Sequence, residues 1–283
     1  MDYLQHMAVR LANQELFVPA LFVQKRQLPA FAALIGVRVP EVYFIGPIRE
    51  LLLADLPERF ILKPMFASTS IGVHLLERAD EGAYRSTVSG EVLDVETLIE
   101  RCDAVSARFP KVRDTGSFVA EELLFDAHGG TPPPDVRAYS FQGKIGMFLV
   151  EHHIAGPAEA MFFDGDFLPF PDVHSRYGVA AGAQNLEKIV EAEVPPNWKA
   201  LKVVAERVST AVPTAFCRVD MYDTPKGVYL GEVTLYPGTF YYKNRKLMFP
   251  CESERLGRLW DDALARISDS IAPGPQAHWP IEE

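Results

Sequence analysis

The chain has 283 residues, of which 48% are apolar and 23% are charged, and its formal net charge is −10. This composition is typical of an ordinary globular protein with one or two domains. The acidic balance argues against a broad nucleic-acid or anionic-membrane surface, so we expect no nucleic-acid partner.

Cysteine spacing and the N-terminal segment bear on the compartment. Cys102, Cys217 and Cys251 are scattered without a C-x-x-C spacing, which predicts neither a zinc site nor a disulfide framework. The N-terminal segment lacks a basic start followed by an unbroken apolar run, and no apolar stretch reaches membrane-spanning length. We therefore expect a cytoplasmic protein without membrane insertion.

Apolar periodicity predicts both helices and strands along the first half of the chain. Helices are predicted over residues 1–22 and 24–34, with Gly36 as a stop signal after the second. The predicted elements that follow are a strand at 42–45, a helical turn at 47–54, strands at 59–64 and 73–76, a helix at 95–107 and a strand at 117–124.

The second half of the chain is richer in hairpin signals. A hairpin of strands 136–141 and 145–151 is predicted across Gln142-Gly143-Lys144, and a shorter one at 161–169. Amphipathic helices are predicted over 198–212 and 252–271, and a Pro-rich tail from Pro273 should fray. Mixed helices and antiparallel hairpins predict the α+β class.

The most informative stretch is Arg218–Gly238, where two alternating strands flank Thr224-Pro225-Lys226-Gly227. A three-residue loop with Gly227 at the left-handed position would pair Thr224 with Val228, Tyr222 with Leu230, Asp220 with Glu232 and Arg218 with Thr234. Those last four side chains would share one face. A two-residue loop would put the two acids on opposite faces.

Two carboxylates directly opposite one another repel and require compensation. A magnesium ion shared with a phosphate is one solution, with Asp220 and Glu232 as ligands. The other is a solvated hairpin face on which Arg218 neutralises both acids. Both interpretations stay open on spacing alone.

Lys63 lies in an apolar strand, where an ammonium group is costly unless something anionic meets it. The loop Ala67–Gly72 that follows is small and rich in hydroxyl groups, so its backbone N–H groups could approach phosphate oxygens. It lacks the order of a Walker loop. The alternative is a Ser/Thr turn with a lysine whose head reaches solvent.

Further polar residues stand at predicted strand ends. Glu121 and Glu122 are adjacent on a strand, so at most one can point into a given pocket. Arg137 could clamp a phosphate or pair with Asp135 on the surface. The pair His152-His153 has no further metal ligand that we can place, and 241–246 is a basic loop of either anion-binding or solvated character.

Taken in order, Lys25, Phe60–Pro64, the Ser/Thr/Gly loop, Val119–Leu124, Asp135–Arg137 and Arg218–Gly238 resemble the ATP-grasp superfamily. Among its branches the chain most resembles the TupA-like one, named for teichuronopeptide biosynthesis. The resemblance implies a fold in which two α+β lobes clasp ATP between antiparallel sheets. It spans roughly residues 23–240.

The resemblance also implies roles for individual residues. Lys63 would touch adenine and the α-phosphate, Lys25 would contact phosphate, and Arg137 would meet the terminal phosphates. Arg218 would stabilise the acyl-phosphate or tetrahedral species. The implied nucleotide-binding positions are completed by Ser68, Thr69, Ser70 and Gly72 in the closing loop, Glu121, Glu122 and Leu123 at the adenine edge, and Asp126 at the ribose. The implied Mg²⁺ ligands are Asp220, Glu232 and Thr234.

Two departures from the superfamily pattern stand out. Thr234 occupies a position where Asn is common, so a second metal would be held less directly. Only a short segment precedes Lys25, which implies a reduced or absent N-terminal Rossmann-like domain. The acceptor site would then come from residues 152–180, from 238–250, or from a second copy of the chain or a partner protein. The implied division is a helical extension (1–24), a small lobe (25–124), a C-terminal lobe (125–272) and a flexible tail (273–283).

The activity implied by the resemblance is an ATP-dependent carboxylate–amine ligase that works through an acyl phosphate. The substrates would be small-molecule or peptide carboxylates and amines, such as amino acids, peptides or sugar acids, in natural-product or cell-surface polymer synthesis. Two alternatives are a small-molecule kinase with the same ATP site, and a non-catalytic binding module whose hairpin face is only a salt-bridge network.

Overall fold

The computed structural model describes residues 1–23, 25–52, 55–67, 71–79, 82–110, 115–152, 157–241, 245–270 and 275–278, without the side chains at 21, 23 and 25. The helices are α1 (Tyr3–Leu11), α2 (Leu28–Leu34), α3 (Ile48–Leu51), α4 (Val95–Ala107), α5 (Val173–Arg176), α6 (Trp198–Ala211) and α7 (Pro250–Ser270). The 3₁₀ turns are Ala20–Val23, Lys25–Gln27 and Ala181–Ala183.

Within the described residues, the strands fall into two six-stranded sheets and one two-stranded ribbon. They are β1 (Val42–Pro47), β2 (Arg59–Pro64), β3 (His74–Arg78), β4 (Ala83–Ser86), β5 (Val92–Asp94), β6 (Ser117–Glu122), β7 (Asp135–Phe141), β8 (Lys144–His152), β9 (Ala158–Asp164), β10 (Tyr177–Val179), β11 (Glu187–Ile189), β12 (Cys217–Thr224), β13 (Gly227–Thr234) and β14 (Lys246–Met248). The predicted α+β class is confirmed.

One compact unit comprises residues 40–132, and its sheet has the order β1-β6-β2-β3-β4-β5 with every pair antiparallel. Strand alternation gives this sheet two unlike faces. Phe60 and Leu62 of β2 and Phe118 of β6 point into an apolar core that α3 and α4 help to close. Lys63 of β2 lies on the opposite face. The predicted bounds of β2 and α4 are confirmed.

The other unit comprises residues 1–39 and 133–281, and its sheet has the order β11-β9-β8-β7-β12-β13. The β9–β11 pair is parallel and the others are antiparallel. One face packs through Ala138 and Val219 against α6, and the other packs through Phe141 against Trp260 of α7. Strands covered on both faces read as long apolar runs, which is what β8 shows.

The N-terminal residues are held in this unit by capping and apolar packing. A capping box begins α1, in which Asp2 accepts from the Gln5 N–H at 2.9 Å and Gln5 accepts from the Asp2 N–H at 3.0 Å. Ala32 of α2 and Val37 are buried in the same core as α6. Residues 25–39, which the predicted division assigns to the small lobe, belong instead to the unit that contains the sheet β11-β9-β8-β7-β12-β13.

The end of the described chain is also anchored. The Ala20 N–H donates to the Pro275 carbonyl at 3.2 Å, and the Ala277 N–H donates to the Val18 carbonyl at 2.5 Å. Ala277 is buried. Residues 275–278 therefore pair with 18–20, while the rest of the tail that we predict to fray lies outside the described residues.

The loop between β7 and β8 is shorter than the predicted loop Gln142-Gly143-Lys144. The β7–β8 hairpin closes over two residues, Gln142 and Gly143, both with positive φ (50° and 83°), and pairs Phe141 with Lys144. Such a turn matches the right-handed strand twist.

Strands β4 and β5 were not predicted. No helix in the described part of the chain combines the length and apolarity needed to cross a membrane.

Candidate functional site

The β12–β13 hairpin places the predicted polar residues on one face. Asp220 pairs with Glu232 and Arg218 with Thr234, so these predicted pairings are confirmed. The predicted loop is wrong: the loop has two residues, and Thr224 pairs with Gly227. The register shifts between Asp220 and Met221, because Gly231 is an extra residue on β13. This bulge restores the alignment of the acids that a two-residue loop alone would have lost.

Gly231 is tightly packed, since a Cβ at this position would lie 2.8 Å from the Tyr222 ring and 3.4 Å from the Asp220 carbonyl oxygen. Gly231→Ala should therefore destabilise the chain by about 1–3 kcal/mol and disturb the acid pairing, as overpacking does. Chemical denaturation measures the effect. The control is Gly182→Ala, where a Cβ would meet no atom within 4 Å. Equal stability of the two variants would contradict the packing argument.

Arg218 and Asp220 form a bidentate ion pair on this face. Nε and Nη2 of Arg218 donate to the two Asp220 oxygens, each at 2.6 Å, and Nη1 donates to the Thr239 hydroxyl at 3.2 Å. Burial acts to lower the pKa of Arg218, but the charge and hydrogen bonds of Asp220, aided by Glu232, raise it on balance. Arg218 is therefore a fixed positive charge beside both acids.

The acid pair has the chemistry of a site for a hard cation. Asp220 is partly buried, with 15% of its side chain exposed, and Glu232 is exposed. Thr234 accepts from Arg218 Nη2 at 3.4 Å. No cluster of three or more His, Cys, Asp or Glu side chains suited to a metal occurs within the described ranges. Two carboxylates nevertheless fit Mg²⁺, which is usually held by one or two of them together with substrate phosphates and water.

Arg137 stands on the same face, directly opposite Asp220 in the β7–β12 register. Its Nη2 donates to Asp135 at 2.8 Å, and its Nη1 forms an ion pair with Glu151. Glu151 is 1% exposed, so this is no surface pair. The structure shows the contact with Asp135, although as part of a larger arrangement with buried Glu151 and not as an isolated surface pair.

Three residues of this arrangement were missed by the sequence analysis as site residues. Lys246 of β14 forms ion pairs with Glu151 and, at 2.5 Å, with Glu187 of β11. All three side chains are buried. Burial lowers the pKa of Lys246, and the hydrogen bond to Glu187 and the negative charge of that carboxylate oppose this effect. The available signal was a charged residue at the end of the apolar strand that contains Glu151, while Lys246 stands in the predicted basic loop 241–246; the sequence does not reveal their partners.

Lys63 and Glu121 meet in the unit of residues 40–132. Their side chains form an ion pair on the face opposite the apolar core, with 35% of Lys63 and 11% of Glu121 exposed. The anionic partner that a lysine in an apolar strand requires is thus a carboxylate of the chain itself. The Glu122 side chain lies on the other face, and the Glu122 backbone N–H donates to the Glu41 carbonyl at 2.8 Å. Leu123 follows the strand and is buried.

Asp126 holds its own loop. Its Oδ1 accepts from the N–H groups of His128 (2.8 Å) and Gly130 (2.7 Å), as in an Asx turn. Gly72 has a φ of 72°, and a Cβ there would lie 3.0 Å from Val105. The other predicted positions Ser68, Thr69, Ser70 and His153 lie outside the described residues, as does the side chain of Lys25, whose backbone forms a 3₁₀ turn.

Comparison with known proteins adds family information. A family model described as TupA-like ATPgrasp matches residues 20–249. The search of curated proteins found no match. Similar solved structures include D-alanine–D-alanine ligase from Bacillus anthracis (14% identity, 88% of this chain and 69% of that one, TM-score 0.49), the same enzyme from Helicobacter pylori (13%, 95% and 69%, 0.48) and the ATP-grasp ligase PsnB with minimal precursor, Mg and ADP (14%, 87% and 59%, 0.46).

Proposed function

Because the chain belongs to the TupA-like ATP-grasp family, we propose that it is an ATP-dependent carboxylate–amine ligase. The observation that carries this proposal is the register of the β12–β13 hairpin, which aligns Asp220 with Glu232 beside Arg218. Opposed acids with an adjacent fixed cation suit a site where phosphate charge is handled.

The proposed reaction has two steps. A carboxylate oxygen of the first substrate attacks the γ-phosphorus of ATP, the bond from that phosphorus to the β-phosphate oxygen breaks, and ADP leaves. The amine of the second substrate then attacks the acyl carbon, loses a proton and expels inorganic phosphate, which leaves an amide. The substrate class proposed is an amino acid, peptide or sugar acid.

The hairpin residues would act on the phosphate and acyl groups. Asp220 and Glu232 would hold Mg²⁺, with Thr234 beside them, and the ion would neutralise phosphate charge. Arg218, locked by Asp220 and Thr239, would direct its positive charge at the acyl phosphate and the tetrahedral species. Arg137 would contact the terminal phosphates. Both arginines are held by short contacts, which favours orientation without reorganisation during the reaction.

The residues of the unit 40–132 would bind the nucleotide. Lys63 would contact adenine and the α-phosphate. The ion pair with Glu121 supports this role, since it keeps the Lys63 ammonium group beside a second predicted adenine contact. The adenine edge would be met by Glu121, Glu122 and the Leu123 backbone. The remaining proposed contacts are Lys25, Ser68, Thr69, Ser70 and Gly72 at the phosphates and Asp126 at the ribose.

A non-catalytic binding module is the second candidate, and one observation favours it. Arg218 already occupies both oxygens of Asp220, which is what a salt-bridge network would show. The two functions differ in whether Mg²⁺ and a nucleotide bind together. A kinase would differ again, by releasing a stable phosphoester.

Nucleotide binding tests the proposal. A non-hydrolysable ATP analogue with Mg²⁺ should raise the thermal midpoint of unfolding, because ligand at 100 times its Kd stabilises the native state by about 2.7 kcal/mol. Lys63→Met should reduce the shift, whereas Lys188→Met should not, since Lys188 pairs with Glu159 on an exposed surface. A screen of amino-acid and sugar-acid pairs for ADP release, followed by product mass, would then identify the reaction. The absence of any shift with the wild-type chain would remove the proposal.

A further inference from the structure

A network of charged side chains runs from partly buried Arg137 through buried Glu151 to buried Lys246 of β14. One carboxylate oxygen of Glu151, Oε2, meets Arg137 Nη1, and the other, Oε1, meets Lys246 Nζ. Lys246 continues to Glu187, whose other oxygen lies 3.7 Å from Arg245. The hairpin β7–β8 meets here with β11 and β14, which are distant from it in sequence.

The buried charges of this network require partners of opposite sign. Glu151 is 1% exposed, Lys246 4% and Glu187 6%. Each charge in such surroundings is tolerated only with a partner of opposite sign. Lys246 lies against two carboxylates, and Glu151 lies against two cations, so the positions of the neighbouring groups are mutually fixed.

We infer that Glu151 and Lys246 are positioning residues for Arg137, which they hold in place to contact the terminal phosphate of the nucleotide. The inference rests on the proposed function, since it needs a nucleotide on this face. A guanidinium presents its donors in a rigid planar fork, so fixing Nη1 and Nη2 also determines where the remaining N–H groups of these two nitrogens point. Asp135 fixes Nη2 and Glu151 fixes Nη1.

Lys246 acts one step further away. Without its ammonium group, the Glu151 carboxylate would lose the partner of Oε1 and could turn toward another donor, which would release Arg137. Glu187 holds Lys246 from the far side at 2.5 Å. The supporting order is therefore Glu187, Lys246, Glu151, Arg137.

The test measures discrimination between nucleotides rather than turnover. Calorimetry gives the Kd of Mg²⁺·ADP and of a non-hydrolysable Mg²⁺·ATP analogue. The Kd of Mg²⁺·ADP divided by that of the Mg²⁺·ATP analogue reports contact with the terminal phosphate. Glu151→Gln and Lys246→Met should each lower this ratio by about tenfold, the lower end of the effect of outer supporting residues at metal sites. Lys246→Arg should restore it, and Lys188→Met, on the exposed pair with Glu159, should leave it unchanged.

A double-mutant cycle separates positioning from general stability. In an Arg137→Gln background, Glu151→Gln should change the ratio by less than about twofold, because residues that act through one group are not additive. Thermal unfolding without nucleotide checks each variant. If Lys246→Met does not fold, Lys246→Met/Glu187→Gln removes one buried charge of each sign and should still lower the ratio.

Two results would overturn the inference while leaving the proposed function intact. One is an unchanged ratio in folded Glu151→Gln, and the other is a full effect of Glu151→Gln in the Arg137→Gln background. If the wild-type chain binds neither nucleotide, the proposed function itself fails, and the inference fails with it.

Discussion

Replacing Asp220 by Asn or Glu232 by Gln is expected to abolish Mg²⁺-dependent ADP formation while the chain stays folded. Each substitution removes one carboxylate from the pair aligned by the β12–β13 register. A group that neutralises charge on a transferring phosphoryl group is worth about 10³-fold or more in kcat. The measurement is ADP release at several Mg²⁺ concentrations, with circular dichroism and thermal unfolding to verify the fold.

The two variants differ in what a structural role would predict. Asp220→Asn leaves Arg218, whose side chain is 11% exposed, without its carboxylate partner, so some loss of stability is expected. Glu232 is exposed, so Glu232→Gln should barely change stability. Loss of ADP formation in folded Glu232→Gln is therefore the sharper result.

A matched control lies on the same strand. Asp223 of β12 accepts from the Asn197 side chain at 2.7 Å and lies outside the acid pair. Asp223→Asn should keep the dependence on Mg²⁺ of the wild-type chain. Retained turnover in folded Asp220→Asn or Glu232→Gln would remove the metal assignment.

The acid pairing could be predicted from sequence, although the loop could not. Alternation along Arg218–Thr224 and Gly227–Thr234 places every second side chain on one face, and the acids share that face in the structure. The predicted loop was one residue too long, and the bulge at Gly231 makes up the difference. A glycine in a strand indicates a bulge or a close approach, but its spacing does not determine which.

The buried charges show where sequence reasoning stops. Periodicity marks Glu151 as a charge at the end of an apolar strand, whereas Lys246 is the last residue of the segment 241–246 that the sequence predicts as a basic loop. Their pairing depends on the order of β8, β11 and β14 in space, which period-two patterns do not encode. The same applies to Lys63, for which an anionic partner was predicted and the particular partner, Glu121, was not.

Arg10→Met is expected to be among the most destabilising single substitutions, at about 3–5 kcal/mol, the cost of breaking a buried ion pair by removing one partner. The Arg10 side chain is fully buried and its Glu15 partner is 5% exposed. Nε and Nη2 donate to Glu15 at 2.5 and 2.8 Å, and the guanidinium stacks on Trp260 at 4.6 Å. The loss is a large fraction of the 5–15 kcal/mol that stabilises a typical domain.

The measurement is denaturant unfolding with a control and a compensating variant. Arg101→Ala removes a bidentate pair with Glu91, but both side chains are more than 40% exposed, so its effect on the free energy of unfolding should be small. Arg10→Met/Glu15→Leu removes the stranded carboxylate and should regain part of the loss. A small effect of Arg10→Met would contradict the burial argument.

Arg10 also connects stability to the candidate site. Its Nη1 donates to the carbonyls of Phe216 and Leu235, each at 2.9 Å. These residues stand immediately before β12 and immediately after β13, so one guanidinium joins the two strands at the open end of the acid hairpin. Under conditions in which it remains folded, Arg10→Met should therefore still bind the Mg²⁺·nucleotide complex more weakly than the wild-type chain. The reason is that the strand ends next to Arg218 and Thr234 lose their shared donor. Unchanged Mg²⁺·nucleotide affinity in folded Arg10→Met would show that the turn, the bulge and the ladder fix the acids without this connection.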